Sequence, residues 1–338
     1  MGFYIDMIDV GESDAFLLTL DNPDGGEAYV LIDGGPEEAS NKVVQHLQKY
    51  TGGFLNLVIG THLEKDHIGG LTKVVQNFDI GEFVLNVPDG LWQRWLNLRG
   101  LVQRFGRRRE IESAAKSLET AEALMIVLAA KRLTPAQALA GRGWTCGDVS
   151  LNVLNPTPAR LAAAWSEQKF EKMRGIYSPY SALATLLGGE VQESEAPPTT
   201  EENDSSIVIE LVYRGSPYAL MTGDAGAGVL KEVTTAKSYH YLKVPHHGSK
   251  TGLDEELLDR LRPNVAFIPV GTNDHGHPAI EILQLLQAKV GRTFCSQKTP
   301  NCRKACKSGG FGTVCHMKDK EGRTGWNSVN PKDCANNS

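Results

Sequence analysis

The stretch Thr61-His62-Leu63-Glu64-Lys65-Asp66-His67-Ile68-Gly69-Gly70 decides how the rest of the sequence is interpreted. The apolar run Leu55-Asn56-Leu57-Val58-Ile59-Gly60 precedes it and predicts a short buried strand. Four side chains with nitrogen or oxygen donors follow the strand: His62, Glu64, Asp66 and His67. Such groups bind divalent cations, and α/β sheets place their chemistry at strand ends. The stretch therefore predicts a metal site, and a solvated turn before a helix is the alternative.

The two glycines that end this stretch predict a tight backbone arrangement. Gly69 and Gly70 carry no side chain at the point where the next helix is expected to start. We expect the backbone to pack tightly there.

Other apolar runs also end in groups that can bind a metal or transfer a proton. These groups are Asp33, Asp224, the pair His246 and His247, and the pair His275 and His277. If the strands lie side by side, their loops converge and supply ligands for two ions. Two ions about 3.5–4 Å apart can clamp a phosphodiester, and a metal makes hydroxide available near neutral pH. The pattern predicts hydrolysis.

Composition limits the partners. The chain has 338 residues, 41% of them hydrophobic, and a formal net charge of −5. A sizeable core is expected, and no overall positive field attracts nucleic acid, so a polyanion would be held by a local patch or by metals. We see no signal peptide and no apolar run of about 18 residues. We therefore expect a cytoplasmic protein without a membrane partner, and the sequence does not predict its oligomeric state.

Seven motifs in order resemble the metallo-β-lactamase-fold hydrolase domain at the C-terminus of the ComEC DNA-uptake proteins. The matching segments are Asp9–Ala15 (DVGESDA), Leu31–Gly35 (LIDGG), Thr61–Gly70, Asn203–Ser206, Leu220–Asp224, Leu242–Ser249 (LKVPHHGS) and Gly276–Pro278. The resemblance implies an α/β fold, an αββα sandwich with the metal site at one edge. It leaves out an Ala-, Leu- and Arg-rich segment and the C-terminal tail.

The domain boundaries follow from changes of composition along the chain and from this resemblance. We expect one metallo-β-lactamase-like domain over residues 1–290, with a helical insertion at about 90–142 and a mobile loop at about 188–203. Within the insertion, Thr134 followed by Pro135 predicts the start of a helix. Residues 291–338 form a Cys-, Lys- and Gly-rich tail.

The resemblance also implies roles for individual residues. The implied metal ligands are His62 and Glu64 for the first ion, Asp66 and His67 for the second, Asp224 as a bridge, and His247. The implied orienting residues are Asp33, which braces the metal loop, Asn203, His246 and Ser249. Asp66 is also expected to take part in catalysis, and His277 to protonate the leaving group or hold a phosphate.

Two departures from the family pattern affect the metal. Glu64 stands where the common motif has His and the ComEC group has Asp, and the usual isolated His is missing near Asn203. Oxygen ligands favour harder ions, so both Mn²⁺ and Zn²⁺ are candidates. We expect two divalent ions per chain, with a single ion as the alternative.

Two further patterns bear on partners. Arg104, Arg107 and Arg108, with Trp92 and Trp95 upstream, predict a surface that binds a nucleic acid or nucleotide; a solvated helix with buried Trp is the alternative. The second pattern lies in the tail, where Cys302-x3-Cys306 is followed by Cys315-His316. These residues predict either a zinc knuckle or free thiols.

The leading hypothesis is a metal-dependent phosphodiester hydrolase, a nuclease that acts on DNA through a metal-activated hydroxide. One alternative is a small-molecule hydrolase of the same fold, such as a cyclic nucleotide phosphodiesterase, a lactonase or another esterase. A further alternative is a non-catalytic binding module stabilised by metal.

Overall fold

Two β-sheets form the centre of the computed structural model, which describes residues 2–87, 109–165, 200–235, 237–301, 313–318 and 324–328. The first sheet contains β1 (Phe3–Met7), β2 (Phe16–Asp21), β3 (Glu27–Ile32), β4 (Phe54–Gly60), β5 (Asp79–Leu85), β13 (Val314–Lys318) and β14 (Thr324–Ser328). The second contains β6 (Gly143–Cys146), β7 (Val149–Asn155), β8 (Val208–Tyr213), β9 (Ser216–Met221), β10 (Tyr241–Lys243), β11 (Val265–Ile268) and β12 (Arg292–Cys295).

Strand order places the parallel pairs where the metal motifs are. The first sheet runs β14-β13-β1-β2-β3-β4-β5 and the second runs β12-β11-β10-β9-β8-β7-β6. The pairs β3–β4 and β4–β5 are parallel, as are the strands from β9 to β12. Parallel neighbours end at the same edge of a sheet, so the loops that follow them lie together.

Helices cover the outer faces of both sheets. They are α1 (Ser40–Tyr50), α2 (Lys65–Ile68), α3 (Leu71–Asn77), α4 (Arg109–Ala130), α5 (Pro158–Ala164), α6 (Glu201–Asp204), α7 (Ala227–Val233), α8 (Glu255–Leu261) and α9 (Ile280–Lys289), with 3-10 turns at Glu37–Ala39 and Pro245–Gly248. In α1 the spacing of Val43, Val44 and Leu47 predicts one apolar face, and all three side chains are buried.

Three apolar layers hold the elements together. Phe3, Phe16 and Phe267 lie between the two sheets. Leu47 of α1 and Leu124 of α4 belong to the layer outside the first sheet. Leu257, Leu286 and other side chains of α8 and α9 form the layer outside the second. Each fully buried Leu or Phe contributes about 1.5–3 kcal/mol through burial. The layer order is helix, sheet, sheet, helix, and the predicted αββα sandwich is confirmed.

The described part of the insertion is only partly helical. Helix α4 ends at Ala130, and no helix starts at Thr134–Pro135. The predicted helix start there is therefore wrong. Here Ala136 instead extends the exposed edge of β5. Its N–H donates to the carbonyl of Phe83 at 2.8 Å, and it accepts from the N–H of Leu85 at 3.1 Å. Pairing with the sheet satisfies the backbone groups that a helix would otherwise satisfy.

The described part of the tail completes both sheets. Strand β12 extends the second sheet, and β13 pairs with β1 in the first. Within β13, Cys315 and His316 are neighbours and point to opposite faces, with the His316 ring buried against Tyr218. Cys302 and Cys306 lie outside the described residues, so the zinc knuckle stays a prediction. Across the described ranges, no helix is long and apolar enough to cross a bilayer.

Candidate metal centre

The sequence motifs meet where the parallel strands end. Asp33 follows β3, His62 follows β4, and Asp224 follows β9. His247 lies in the 3-10 turn after β10. The first two residues come from one sheet and the last two from the other, so both sheets contribute to one site.

The backbone is strained at three positions of this site. Asp33, His246 and His247 have φ values of 58°, 48° and 51°, in the left-handed region that non-glycine residues rarely adopt. Such conformations cost about 1–3 kcal/mol each and persist where the surrounding structure fixes them, often at functional sites. The turn therefore presents two consecutive imidazoles in an orientation that an ordinary helical turn would not give.

Two imidazole nitrogens and two carboxylate oxygens lie close to one another. His247 Nε2 lies 3.3 Å from Asp66 Oδ2 and 3.5 Å from Asp224 Oδ2. His67 Nε2 lies 3.4 Å from Asp224 Oδ2 and 3.7 Å from Asp66 Oδ2. Ligands at tetrahedral positions about 2.0–2.1 Å from a zinc ion are about 3.3–3.4 Å apart. These four atoms therefore have the spacing of a single divalent-metal site, which we call the four-ligand pocket.

The histidine rings are held so that Nε2 faces this pocket. Nδ1 of His67 lies 2.8 Å from Asp33 Oδ2, and Nδ1 of His247 lies 2.9 Å from the carbonyl of Pro269. Both Nε2 atoms are buried, and neither has a hydrogen-bond partner among the described residues. Metal-binding histidines bind through one nitrogen while the protein holds the other. The donor set fits a divalent ion.

His62 is arranged in the same way at one side of the four-ligand pocket. Its Nδ1 lies 3.1 Å from Thr61 Oγ1 and 3.4 Å from Ser206 Oγ. Its Nε2 is buried, has no partner within the described chain, and lies 4.0 Å from Oε2 of Glu64. Glu64 is 31% exposed, so it stands at the rim of the site.

Two residues of the site, Asp14 and Lys243, were not identified as functional from the sequence. Asp14 groups with His67, Asp224 and His247 as a potential metal cluster. Its Oδ2 lies 2.5 Å from Lys243 Nζ, and its Oδ1 lies 3.5 Å from His247 Nδ1. Because Asp14 faces the Nδ1 atoms, it lies behind the ligands. Its place in the DVGESDA motif and that of Lys243 in LKVPHHGS were the available signals.

Burial and charge act together on the acids of the site. Burial raises the pKa of Asp224, but the neighbouring His247, His67 and Lys243 hold it well below its usual range. Burial by itself would also raise the pKa of Asp66. The charges of His67 and His247 outweigh burial and hold this pKa below its ordinary value. Both carboxyl groups therefore stay ionised and can bind a cation.

Glu64 behaves differently. Burial, together with the charges of Asp66 and Asp224, raises the pKa of Glu64 to about 8. Its partial exposure moderates this shift because solvent screens the charges. A divalent cation nearby would favour the ionised form.

The imidazoles respond to the same charges. Burial by itself would lower the pKa of His67, yet the carboxylates of Asp224 and Asp33 raise it well above the ordinary value. Burial also opposes protonation of His247, and Asp224 and Asp66 raise its pKa to about 9. A divalent cation in the four-ligand pocket would favour the neutral rings, because a histidine binds a metal through an unprotonated nitrogen.

The other predicted residues lie at different distances from the four-ligand pocket. His246 Nε2 lies 4.0 Å from Asp224 Oδ2. His277 is at the rim, with Nδ1 2.9 Å from Oε1 of Glu12 and its ring 5.4 Å from that of His246. Ser249 Oγ contacts Thr251 Oγ1 at 3.1 Å, within its own turn.

The two remaining predictions concern Asn203 and the arginines of the insertion. Asn203 is buried, and its Oδ1 has no hydrogen-bond partner among the described residues. Arg104, Arg107 and Arg108 lie outside the described residues, so the predicted basic surface stays a prediction.

The sequence matches known proteins over part of its length. No protein-family model matches the chain. ComE operon protein 3 of Bacillus subtilis is 37% identical over 101 residues, which are 29% of this chain and 13% of that protein. Recombination protein 2 of Haemophilus influenzae is 43% identical over 74 residues, 22% of this chain and 9% of that protein. The resemblance to the ComEC-type proteins is confirmed. The matched stretch spans a small part of each of these much longer relatives.

Solved structures similar to this chain include the following two. Igni18, a metallo hydrolase from Ignicoccus hospitalis, is 13% identical with a TM-score of 0.44, covering 98% of this chain and 100% of that one. YhfI of Bacillus subtilis, a metallo-beta-lactamase fold protein, is 10% identical with a TM-score of 0.41, covering 88% and 97%. Likeness at this level says nothing about the substrate. The sandwich and the His and Asp cluster together form a candidate site for a divalent metal ion.

Proposed function

We propose that this protein is a metal-dependent phosphodiesterase that cleaves DNA. The observation that carries the proposal is the four-ligand pocket, in which four nitrogen and oxygen atoms lie 3.3–3.7 Å from their neighbours at an edge shared by both sheets. The matched relatives support DNA as the substrate, since one is a recombination protein by name and the other belongs to the ComEC type.

The residues of the four-ligand pocket would hold Zn²⁺ or Mn²⁺. Asp66, His67, Asp224 and His247 supply the ligand atoms. A bound divalent ion supplies Lewis acidity and lowers the pKa of water, which a phosphodiester needs for hydrolysis at neutral pH. Asp66 is a quarter exposed, so this carboxylate faces both the buried ligands and the solvent from which substrate and water arrive.

We assign protonation of the leaving group to His277. Its Nδ1 lies 2.9 Å from the carboxylate of Glu12, so the doubly protonated ring would keep Nδ1–H on Glu12 and give the proton of Nε2 to the leaving group. Its side chain is 14% exposed and stands beside His246 at the rim. Protonation of the departing oxygen by His277 would lower the barrier for alkoxide leaving groups, whose conjugate acids are weak.

Activity assays on the full chain test the proposal. Chelator-treated protein would be reloaded with Zn²⁺ or Mn²⁺ and offered single-stranded DNA, double-stranded DNA, a cyclic nucleotide and a lactone. We expect DNA cleavage that depends on the added metal and that is abolished in Asp66→Ala and Asp224→Ala. Asp259→Asn, in an exposed ion pair with Lys289, should retain wild-type turnover.

The assays also separate the alternatives. Full activity in Asp66→Ala or Asp224→Ala would overturn the assignment of the site. Turnover of only the cyclic nucleotide or the lactone would overturn DNA as the substrate and leave the metal site in place.

A further inference from the structure

A buried ammonium group lies against the candidate metal centre. Lys243 is 1% exposed, and its Nζ lies 2.5 Å from Asp14 Oδ2 and 3.3 Å from Asp224 Oδ1. It also donates to the carbonyl of Gly223 at 2.6 Å. A buried lysine is stable as a cation only when it is paired, and Lys243 has two carboxylates within reach.

The two oxygens of Asp224 therefore have different neighbours. Oδ2 faces His67 and His247 in the four-ligand pocket, at 3.4 and 3.5 Å. Oδ1 faces the ammonium of Lys243. A carboxylate that bridges two ions must share its charge between them. Here part of that charge is already neutralised by a fixed cation.

The other side of the site is less well arranged for an ion. A second ion would rely on His62 Nε2 and Glu64 Oε2, which are 4.0 Å apart, with Glu64 at the solvent rim. This separation is wider than those of the four-ligand pocket, where the pairs named above are 3.3–3.7 Å apart. Asp224 is the carboxylate that would bridge to a second ion, and its Oδ1 already lies 3.3 Å from Lys243 Nζ.

We propose that Lys243 is a built-in cation that makes the centre a one-metal site. Asp14 holds the ammonium in place, and Lys243 in turn holds Asp224 with only Oδ2 directed to the four-ligand pocket. One ion binds tightly in that pocket, and a second ion beside His62 and Glu64 binds weakly because it meets the charge of Lys243. This inference rests on the proposed metal site and refines the two-ion expectation from the sequence.

Metal binding tests the inference without reference to activity. Metal-free full-length protein would be dialysed against buffered series of Zn²⁺ and Mn²⁺, and bound metal counted by elemental analysis. The variants are Lys243→Arg, Asp14→Asn and the double variant Asp14→Asn with Lys243→Met. Asp14→Asn is the matched control, because it lacks the same carboxylate as the double variant but keeps the ammonium.

We expect wild type, Lys243→Arg and Asp14→Asn to bind one ion tightly and a second only at much higher free metal. In the double variant the affinity for the second ion should rise by about tenfold or more, since a nearby positive charge has been removed. Circular dichroism would check that each variant is folded.

Two results would overturn the proposal. The first is binding of two ions with equal affinity by the wild-type protein, a measurement that needs no variant. The other is a folded double variant whose second ion binds no more tightly than in Asp14→Asn. One tight ion without DNA cleavage would contradict the proposed function alone, whereas two equal ions with metal-dependent cleavage would contradict this inference alone.

Discussion

Asp33 Oδ2 lies 2.8 Å from Nδ1 of His67, and both side chains are fully buried. The same carboxylate also accepts from the backbone N–H and the hydroxyl of Thr61, at 2.7 and 2.8 Å. One acid thus holds the start of the metal loop and fixes the ring of a candidate ligand. The pair links the end of β3 to the end of β4, and it leaves Nε2 of His67 free for the metal.

Replacing Asp33 should weaken metal binding without removing a ligand atom. We expect Asp33→Asn to lower the affinity for Zn²⁺ by about 10–100-fold, because the amide holds the imidazole ring less firmly and makes it a weaker base. Competition with a chromophoric chelator measures the affinity, and Asp259→Asn serves as the control. Equal affinities in wild type and Asp33→Asn would show that Asp33 only supports the fold.

The two neighbouring histidines of the 3-10 turn should respond differently to substitution. His247 is 3% exposed with Nε2 within 3.5 Å of two carboxylates, whereas His246 is 25% exposed with Nε2 4.0 Å from Asp224. We expect His247→Ala to reduce metal affinity by about 100-fold or more, beyond the usual effect of outer-sphere partners. His246→Ala should change it less than tenfold. Isothermal titration with Zn²⁺ compares them, and the reverse ranking would assign the ligand to His246.

Gly70 should tolerate no side chain. A Cβ at this position would lie 2.1 Å from the carbonyl oxygen of Gly34, in the backbone that leads to Gly35. We expect Gly70→Ala to destabilise the fold by about 1–3 kcal/mol or more, because two main-chain segments must separate. The control is Gly228→Ala in α7, where a Cβ meets nothing within 4 Å.

Urea unfolding compares the two glycine variants. Gly228→Ala should be neutral or stabilising by up to about 1 kcal/mol, since alanine favours a helix. Equal unfolding midpoints for Gly70→Ala and the wild type would contradict the close approach seen in the structure.

His316 should make the fold sensitive to acid. Burial, with the nearby charges of His240 and Lys318, lowers the pKa of His316 to about 3 from an ordinary value of 6.5. Between these pH values the unfolded chain binds a proton that the folded chain does not. The contribution of neutral His316 to the free energy of unfolding is therefore fully present above pH 6.5 and is lost as the pH falls toward 3.

A pH series of unfolding curves measures this effect. In His316→Gln, whose amide oxygen can accept from the Tyr218 hydroxyl, the pH slope in this window should decrease by up to about 1.4 kcal/mol per pH unit. Other titrating groups act equally in both proteins, so the difference between the curves isolates His316. Parallel curves would show that another group carries the acid sensitivity.

Local features of the sequence were sufficient for several elements. The apolar spacing in α1 and the run before the metal loop identified a helix and a strand, because burial of one face imposes a period that can be read directly. The two glycines after the metal loop were correctly expected to allow close packing. Their partners, Glu37 beside Gly69 and Gly34 beside Gly70, are distant in sequence and were not predicted.

Other features depended on contacts that no local pattern contains. The Thr134–Pro135 signal is a good helix start by local chemistry, but the exposed edge of β5 offered Ala136 a better set of backbone partners. Likewise, Asp14 lies in a segment whose sequence is typical of a turn. Only the packing of β10 beside it brings the Lys243 ammonium to its carboxylate.

The sequence by itself determined the kinds of ligand atom, their order along the chain and their positions at strand ends. These properties follow from residue type and from the period of apolar side chains, both of which are local. Tertiary structure alone decided which nitrogen of each histidine faces the metal pocket and where Lys243 meets Asp224. These relations arise because the register of two sheets brings distant residues within a few ångströms in a buried space, where each polar atom needs a partner.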